Sequence, residues 1–402
     1  MRCFAFAFIA ALALASPAHA KDWRIRPGPE APGLLAAALA HAQPGDSIRF
    51  ARGFFALDAG FTLTTDGVDL LGEGQDKTIL SFAGQQGAGD GVTIAARGLV
   101  VRDLAIEDAR GAALKIAGAD SVAVRGVRAQ WAQSAPAASG VAIETSSNVL
   151  VQETIARGAG AGVAVLGART VVVRDSVLEN NIVGLRVSNS VAVEAFGNVA
   201  QRNATAVAVF DEAGKQQAGD GVLLTRNKFL SSDGANYAPA GSPLAAAPAG
   251  VGVFVSAARA VHVVENDIGE NPTANVVLMA WPQPAAAANF NALPRNVAVR
   301  KNRFGRTGFA PAPAFARLQS VVAPDVIWDG ATAYFAGGAP HQEPVLLAVE
   351  DNKSDQKGGP RGYVLGLMSA GGDFAEAEPA AAYPPVTTVG ELAPVKLPKT
   401  VR

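Results

Sequence analysis

Short apolar segments recur along the chain, each opened by Gly, Ala or Asn. They read Gly91-Val92-Thr93-Ile94, Ala113-Leu114-Lys115-Ile116, Gly140-Val141-Ala142-Ile143 and Gly162-Val163-Ala164-Val165. Gly184-Leu185-Arg186-Val187, Ala206-Val207-Ala208-Val209, Gly252-Val253-Phe254-Val255 and Asn275-Val276-Val277-Leu278 follow. Alternation within each marks a strand with one buried face. From Val92 the first apolar positions step by 22, 27, 22, 22, 22, 46 and 23 residues. A near-constant step of this kind marks a repeat architecture. The two long steps predict loops inserted near residues 132–138 and 211–249.

A second strand follows each first one: Val122-Ala123-Val124, Val149-Leu150-Val151, Val171-Val172-Val173, Val191-Ala192-Val193, Val261-His262-Val263 and Val297-Ala298-Val299. A weaker third strand lies behind turns that carry Asp175, Asn198, Asn227, Asn266 and Asn302. Asn and Asp tolerate the left-handed backbone of tight turns, and their side chains can bond along a stack. Strands this short bury nothing alone, but stacked coils bury their inward positions as one column. About 22 residues for three strands and three turns fit one coil of a parallel β-helix. A propeller blade takes about 40 residues, and a leucine-rich repeat has a Leu/Asn consensus that is missing here.

The ends complete the picture. Leu34 to Ala42 reads as a short helix that covers the first coil, ahead of the strand Ser47-Ile48-Arg49-Phe50. Residues 306–343, rich in Ala, Pro and Gly, are expected to fold over the last coils. From Gly371 an Ala/Pro-rich tail runs to residue 402 and is expected to be extended or partly disordered. The domain reading is a leader over 1–20, the solenoid over 21–370 and the tail over 371–402.

Composition and the N-terminal residues add four constraints. With 49% hydrophobic and 17% charged residues, the chain can build a large core and is not globally disordered. Arg2, the apolar run Phe4 to Ala15 and Ala18-His19-Ala20 form a secretory leader, with Lys21 as the mature start. The protein is therefore expected to be periplasmic or secreted, without a membrane span, and monomeric. Its single cysteine, Cys3, lies in that leader, so no mature disulfide or cysteine–metal site is expected. A formal charge of −1 gives no polycationic surface, which excludes nucleic acid as a natural partner.

These coils resemble the right-handed β-helix superfamily of pectate lyases, polygalacturonases, alginate epimerases and periplasmic carbohydrate-binding proteins. More narrowly, the chain is similar to exported bacterial proteins with parallel β-helix repeats whose function is not established. Val209-Phe210-Asp211, Asn236-Tyr237-Ala238-Pro239, Gly269 to Val276 and Trp328-Asp329-Gly330 carry that likeness. The family usually has Tyr and Pro near the strand that reads Ser139 to Ile143, and a Ser-Asp pair where this chain has Gly158 to Ala161. The resemblance implies an all-β solenoid, and either glycan binding, uronate lyase or epimerase chemistry, or docking of an envelope partner protein.

The lyase and epimerase chemistry needs a base beside a uronate carboxylate and a cation for the developing charge. There is no Asp-Pro-His-Asp run, no Gly-His-Gly and no Asp-Asp strand pair. His41, His262 and His341 are scattered, and His262 reads as an outward strand residue. Stacking the register places Lys115, Ala142, Ala164, Arg186, Ala208, Phe254 and Val277 outward in one column, with Glu144 and Phe210 two residues along their strands. Glu144, Arg186 and Asp211 could then share a face as catalytic candidates. Lys115, Phe210, Phe254, Tyr237 and Trp281 are candidates for substrate binding. Gly89-Asp90-Gly91 and Gly219-Asp220-Gly221 have the form of calcium-binding turns but are isolated. Turn formation accounts for them, so neither metal nor cofactor is expected. Gly158 to Gly162 reads as a flexible turn.

Overall fold

The computed structural model describes residues 20–281, 290–313, 315, 323–330, 335–336, 339–340, 343–356, 362–364 and 388–401. Residues 1–19, which are the expected leader apart from Ala20 and include Cys3, lie outside the described residues, as do His341 and residues 371–387.

Three parallel sheets wrap a single apolar column. The first sheet stacks the strands that open the sequence repeat, with Cα partners Val92↔Leu114, Leu114↔Val141, Val141↔Val163, Val163↔Leu185, Leu185↔Val207, Val207↔Val253 and Val253↔Val276. The repeat positions are thus the stacked positions. The second sheet begins at Asp22–Ile25 and Ser47–Phe50 and runs to Leu347–Glu350. The third runs from Gly53–Ala56 to Lys353–Ser354. Inward Val, Leu and Ile fill the column between the sheets, with larger rings such as Phe50, Phe55, Phe229 and Phe304 also fully buried there. The helix Ala31–His41 begins three residues earlier than expected, with Pro32 in its first turn, and packs Ala31, Leu35 and Ala38 onto the first coil.

Each turn between the second and third sheets is built from two residues. A left-handed residue comes first (Asp175, Gly197, Arg226, Glu265, Lys301 or Asp351). The next residue turns its side chain inward. Asn198 donates its backbone N–H to Asn227 Oδ1 at 3.0 Å, Asn227 to Asn266 at 2.9 Å, Asn266 to Asn302 at 3.0 Å and Asn302 to Asn352 at 2.9 Å. The expected asparagine stack is real, but Asp175 is a left-handed turn residue beside it. Ser176 holds the stack position, donating its backbone N–H to Asn198 Oδ1 at 3.1 Å.

Several expectations need correction. The insertion placed at 211–249 is two loops, because Asp220–Thr225 and Lys228–Leu230 continue the second and third sheets between them. Val222 and Leu224 are inward partners of Val193 and Ala195, on a strand outside the repeat read from the sequence. The inward register of the preceding strand is Val193 and Ala195 rather than Val191 and Val193. The extra residues near 132–138 form no free loop, since Ala135 and Ser139 pair with Ala159 and Ala161 through register shifts. Gly158 to Gly162 is accordingly a paired strand rather than a flexible turn. A Cβ on Gly160 would lie 2.1 Å from the Pro136 carbonyl oxygen, so only glycine allows this close pairing.

The described part of the tail is extended, as expected, and it is docked on the solenoid. Residues 388–401 lie along the outer face of the second sheet. Its outward column is Val100, Ala123, Leu150, Val172, Glu194, Leu223, His262, Ala298 and Ala348 in register. Val389 packs on Ala298 and Ala348. Val395, Leu397 and Val401 pack on the Val100–Val172 end together with Phe196. Adjacent strands are about 4.8 Å apart, so the column spans roughly 38 Å. Extended residues 389–401 reach roughly 40 Å, which matches it. Val395 N–H donates to Glu194 Oε2 at 2.8 Å, and Arg300 Nη2 to the Val389 carbonyl at 2.7 Å.

Candidate functional site

Both middle loops border the first sheet. Residues 211–219 leave its edge after Phe210, and residues 231–250 return to it before Val251. Leu244 and Ala247 of the second loop lie over Phe254, Val277 and Phe210, joined by Phe315. Phe210 and Phe254 are consequently 0% exposed. They do point outward from the sheet, as the register requires, but a loop rather than a sugar covers them. Trp281 is half-buried, and its ring stacks on Phe210 with centroids 5.0 Å apart. Tyr237 is the exposed aromatic of this group.

The roof ends at Arg186. Between Lys115 and Arg186 the outward column is Ala142 and Ala164, both buried. Along the edge toward the second sheet opens a groove of about 830 Å³. Glu144, Arg169, Arg186, Ser188, Glu212 and Lys215 bring its polar groups, and Leu166 and Pro243 its apolar ones. A second hollow of about 480 Å³ lies among residues 108–110 and 131–138, where Trp131 Nε1 donates to the Ala109 carbonyl at 2.6 Å.

Glu144 and Arg186 therefore meet in one groove, while Asp211 does not join them. Asp211 is buried under its loop, where Oδ1 accepts Asn189 N–H at 2.9 Å and Oδ2 accepts Gly219 N–H at 2.7 Å. Burial raises its pKa and the two amides oppose the shift. It fastens the loop that forms one wall of the groove. Asn189 completes the fastening: its Oδ1 accepts Glu212 N–H at 2.9 Å, and its Nδ2 donates to the Gln217 carbonyl at 2.9 Å.

Charges in and beside the groove are partly paired. Lys115 lies 3.0 Å from Glu144 and 3.6 Å from Asp90, and its hydrogen bond to Glu144 holds the ammonium pKa above its usual value. Arg186 is ion-paired with Glu212, bonds Ser188 Oγ at 3.2 Å and lies 5.2 Å from the Phe210 ring centroid. Burial lowers its pKa against the pull of Glu212. Arg169 and Lys215 are exposed and have no carboxylate partner among the described residues. The same holds for metal clusters: among the described residues no group of three or more His, Cys, Asp or Glu could hold an ion. Asp90 instead pairs with Lys115, and Asp220 with Arg259.

A family model described as a right handed beta helix region matches residues 90–268. An alginate lyase from Paenibacillus sp. str. FPU-7 superposes with a TM-score of 0.52 at 13% identity, covering 86% of this chain and 98% of that one. The chain is a right-handed parallel β-helix. The A-module of a mannuronan C-5 epimerase from Azotobacter vinelandii reaches a TM-score of 0.49 at 16% identity, over 82% of this chain and 93% of that one. A search of curated proteins finds no match to the sequence.

On this β-helix, sequence reasoning missed Arg169 and gave Glu212 and Lys215 no site role. Glu212 and Lys215 follow a strand in the sequence, and only the fold of their loop returns them over Arg186. Arg169 begins a second-sheet strand and partners Ser147 and Val191. It borders the groove because the turn between the two sheets is short. Its position at a strand start after Gly167-Ala168 was the available signal.

Proposed function

We propose that this β-helix binds an extended, anionic polysaccharide of the polyuronate class in the groove beside its first sheet, outside the cytoplasm. What carries this reading is the pair of exposed cations, Arg169 and Lys215, which have no carboxylate partner among the described residues and flank Arg186 across a groove large enough for several sugars. Carboxylates on successive sugars would meet these cations. Ser188 and Gln217 at the wall suit sugar hydroxyls. Binding rather than turnover is the reading the charges favour. Glu144 is tied to Lys115, Glu212 to Arg186, and Asp211 to two backbone amides. None of these carboxylates is a free base for proton abstraction. The alginate lyase shares the fold, and that likeness concerns the fold alone.

Calorimetry should show polyuronate oligomers binding and neutral glucans of equal length not binding. Arg169→Glu combined with Lys215→Glu should weaken polyuronate binding about tenfold, since exposed charge contacts are each worth up to about 1 kcal/mol. Wild-type affinity should also fall as salt is raised. Equal affinity for neutral glucans, or an unchanged Kd in the double variant, would count against the groove as an anion site. An unsaturated uronate product appearing in the same mixtures would replace the binding reading with a lyase.

A further inference from the structure

The outer face of the second sheet is an interaction surface whose occupant is the chain's own tail. We propose that residues 389–401 form a pH-sensitive latch, docked while His262 is neutral and released when His262 is protonated.

The column beneath the tail is mostly apolar. Seven of its nine outward positions, from Val100 to Ala348, are Val, Leu or Ala. The two polar ones are Glu194 and His262, and their situations differ. Glu194 is used, since it accepts Val395 N–H. His262 sits between Leu223 and Ala298 in register, is 3% exposed and forms no ion pair among the described residues. An outward strand residue on a bare sheet would be wet. His262 lies where the tail passes, between the Val389 contact on Ala298 and the Val395 contact at Glu194. A protonated imidazole there would be a buried, unpaired cation.

Two charged groups act on it. Arg300, on the adjacent second-sheet strand, opposes protonation, and Glu391 on the tail favours it. Burial is the larger influence, and with Arg300 it pulls the His262 pKa down to about 4 from 6.5. The sign follows from the lowered value. Docking favours the neutral ring, so its contribution is complete above pH 6.5 and is lost as the pH falls toward 4. Linkage between these two values makes docking about 30-fold weaker at pH 5 than at pH 8. The tail is held by four apolar side chains and few hydrogen bonds, among them Ser121 Oγ to Thr400 Oγ1 at 3.0 Å. A contact of that size can respond to such a change.

A dye on Lys399→Cys, with Cys3 replaced by serine, reports tail mobility through fluorescence anisotropy. Wild type should lose anisotropy between pH 6.5 and pH 4 while the far-ultraviolet circular dichroism stays constant, and His262→Gln should stay flat across that range. As a second measurement, Val395→Asp with Leu397→Asp detaches the tail without touching the imidazole. The His262 resonance, followed by NMR, should then titrate near 6.5 rather than near 4. The latch is overturned by a pH-independent wild-type signal, by His262→Gln responding as wild type does, or by an unchanged His262 titration with the tail detached.

Discussion

Asn227→Ala is expected to destabilise the solenoid by about 4 kcal/mol, read as a lower denaturant midpoint. Asn227 Oδ1 accepts both the backbone N–H and the side-chain amide of Asn198, each at 3.0 Å. Its own amide donates to the Ala195 carbonyl at 2.9 Å and to Asn266 Oδ1 at 3.0 Å. Asn227 is 1% exposed, so water does not replace these partners. Alanine would orphan at least the Asn198 N–H and the Ala195 carbonyl. Each buried unsatisfied group costs about 1–3 kcal/mol. In a solenoid the loss is felt at the interface between neighbouring coils. Amide exchange should therefore speed up first around residues 195–200. A loss under about 1 kcal/mol would mean that the stack is ornamental to stability.

The second large effect is expected at the groove. Glu212→Ala should destabilise the protein by about 3 kcal/mol, because it leaves the Arg186 cation without its carboxylate. The Arg186 side chain is only 12% exposed and Glu212 19%, so solvent screens the pair weakly. Breaking a buried pair costs about 3–5 kcal/mol, and the lower end suits a pair at a groove mouth. Adding Arg186→Leu to Glu212→Ala should recover most of the loss, since an apolar group can pack on Phe210 where the guanidinium lay. Equilibrium denaturation of the two single variants and the double variant measures this. A Glu212→Ala variant as stable as wild type would show the pair to be a solvated surface contact. The double variant should also bind polyuronate more weakly, which separates the stability role of the pair from its recognition role.

Much of the fold could be read from the sequence. The step from Val92 to Val276 gave the stacking partners residue by residue, because a parallel solenoid repeats its register from coil to coil. The asparagines at Asn198, Asn227, Asn266 and Asn302 announced a turn stack, because left-handed turns followed by inward amides recur at one place in each coil. Less of the site was legible. Glu144 and Arg186 line one groove, whereas Asp211 is held under its loop by two backbone amides.

What the sequence by itself determined, then, is the coil: its period, its inward column and the direction in which each strand residue points. Whether an outward residue meets water was decided only in three dimensions. Phe210 and Phe254 point outward and yet are dry, because the loop at 231–250 folds back over them. His262 points outward and is dry beneath a tail more than a hundred residues further along the chain. Lys115 and Arg186 point outward along the same column and keep some exposure, Arg186 even though Glu212 of the loop at 211–219 pairs with it. Strand alternation is a local consequence of backbone geometry, so the sequence contains it. Cover comes from segments distant in sequence, whose positions depend on how the whole chain packs.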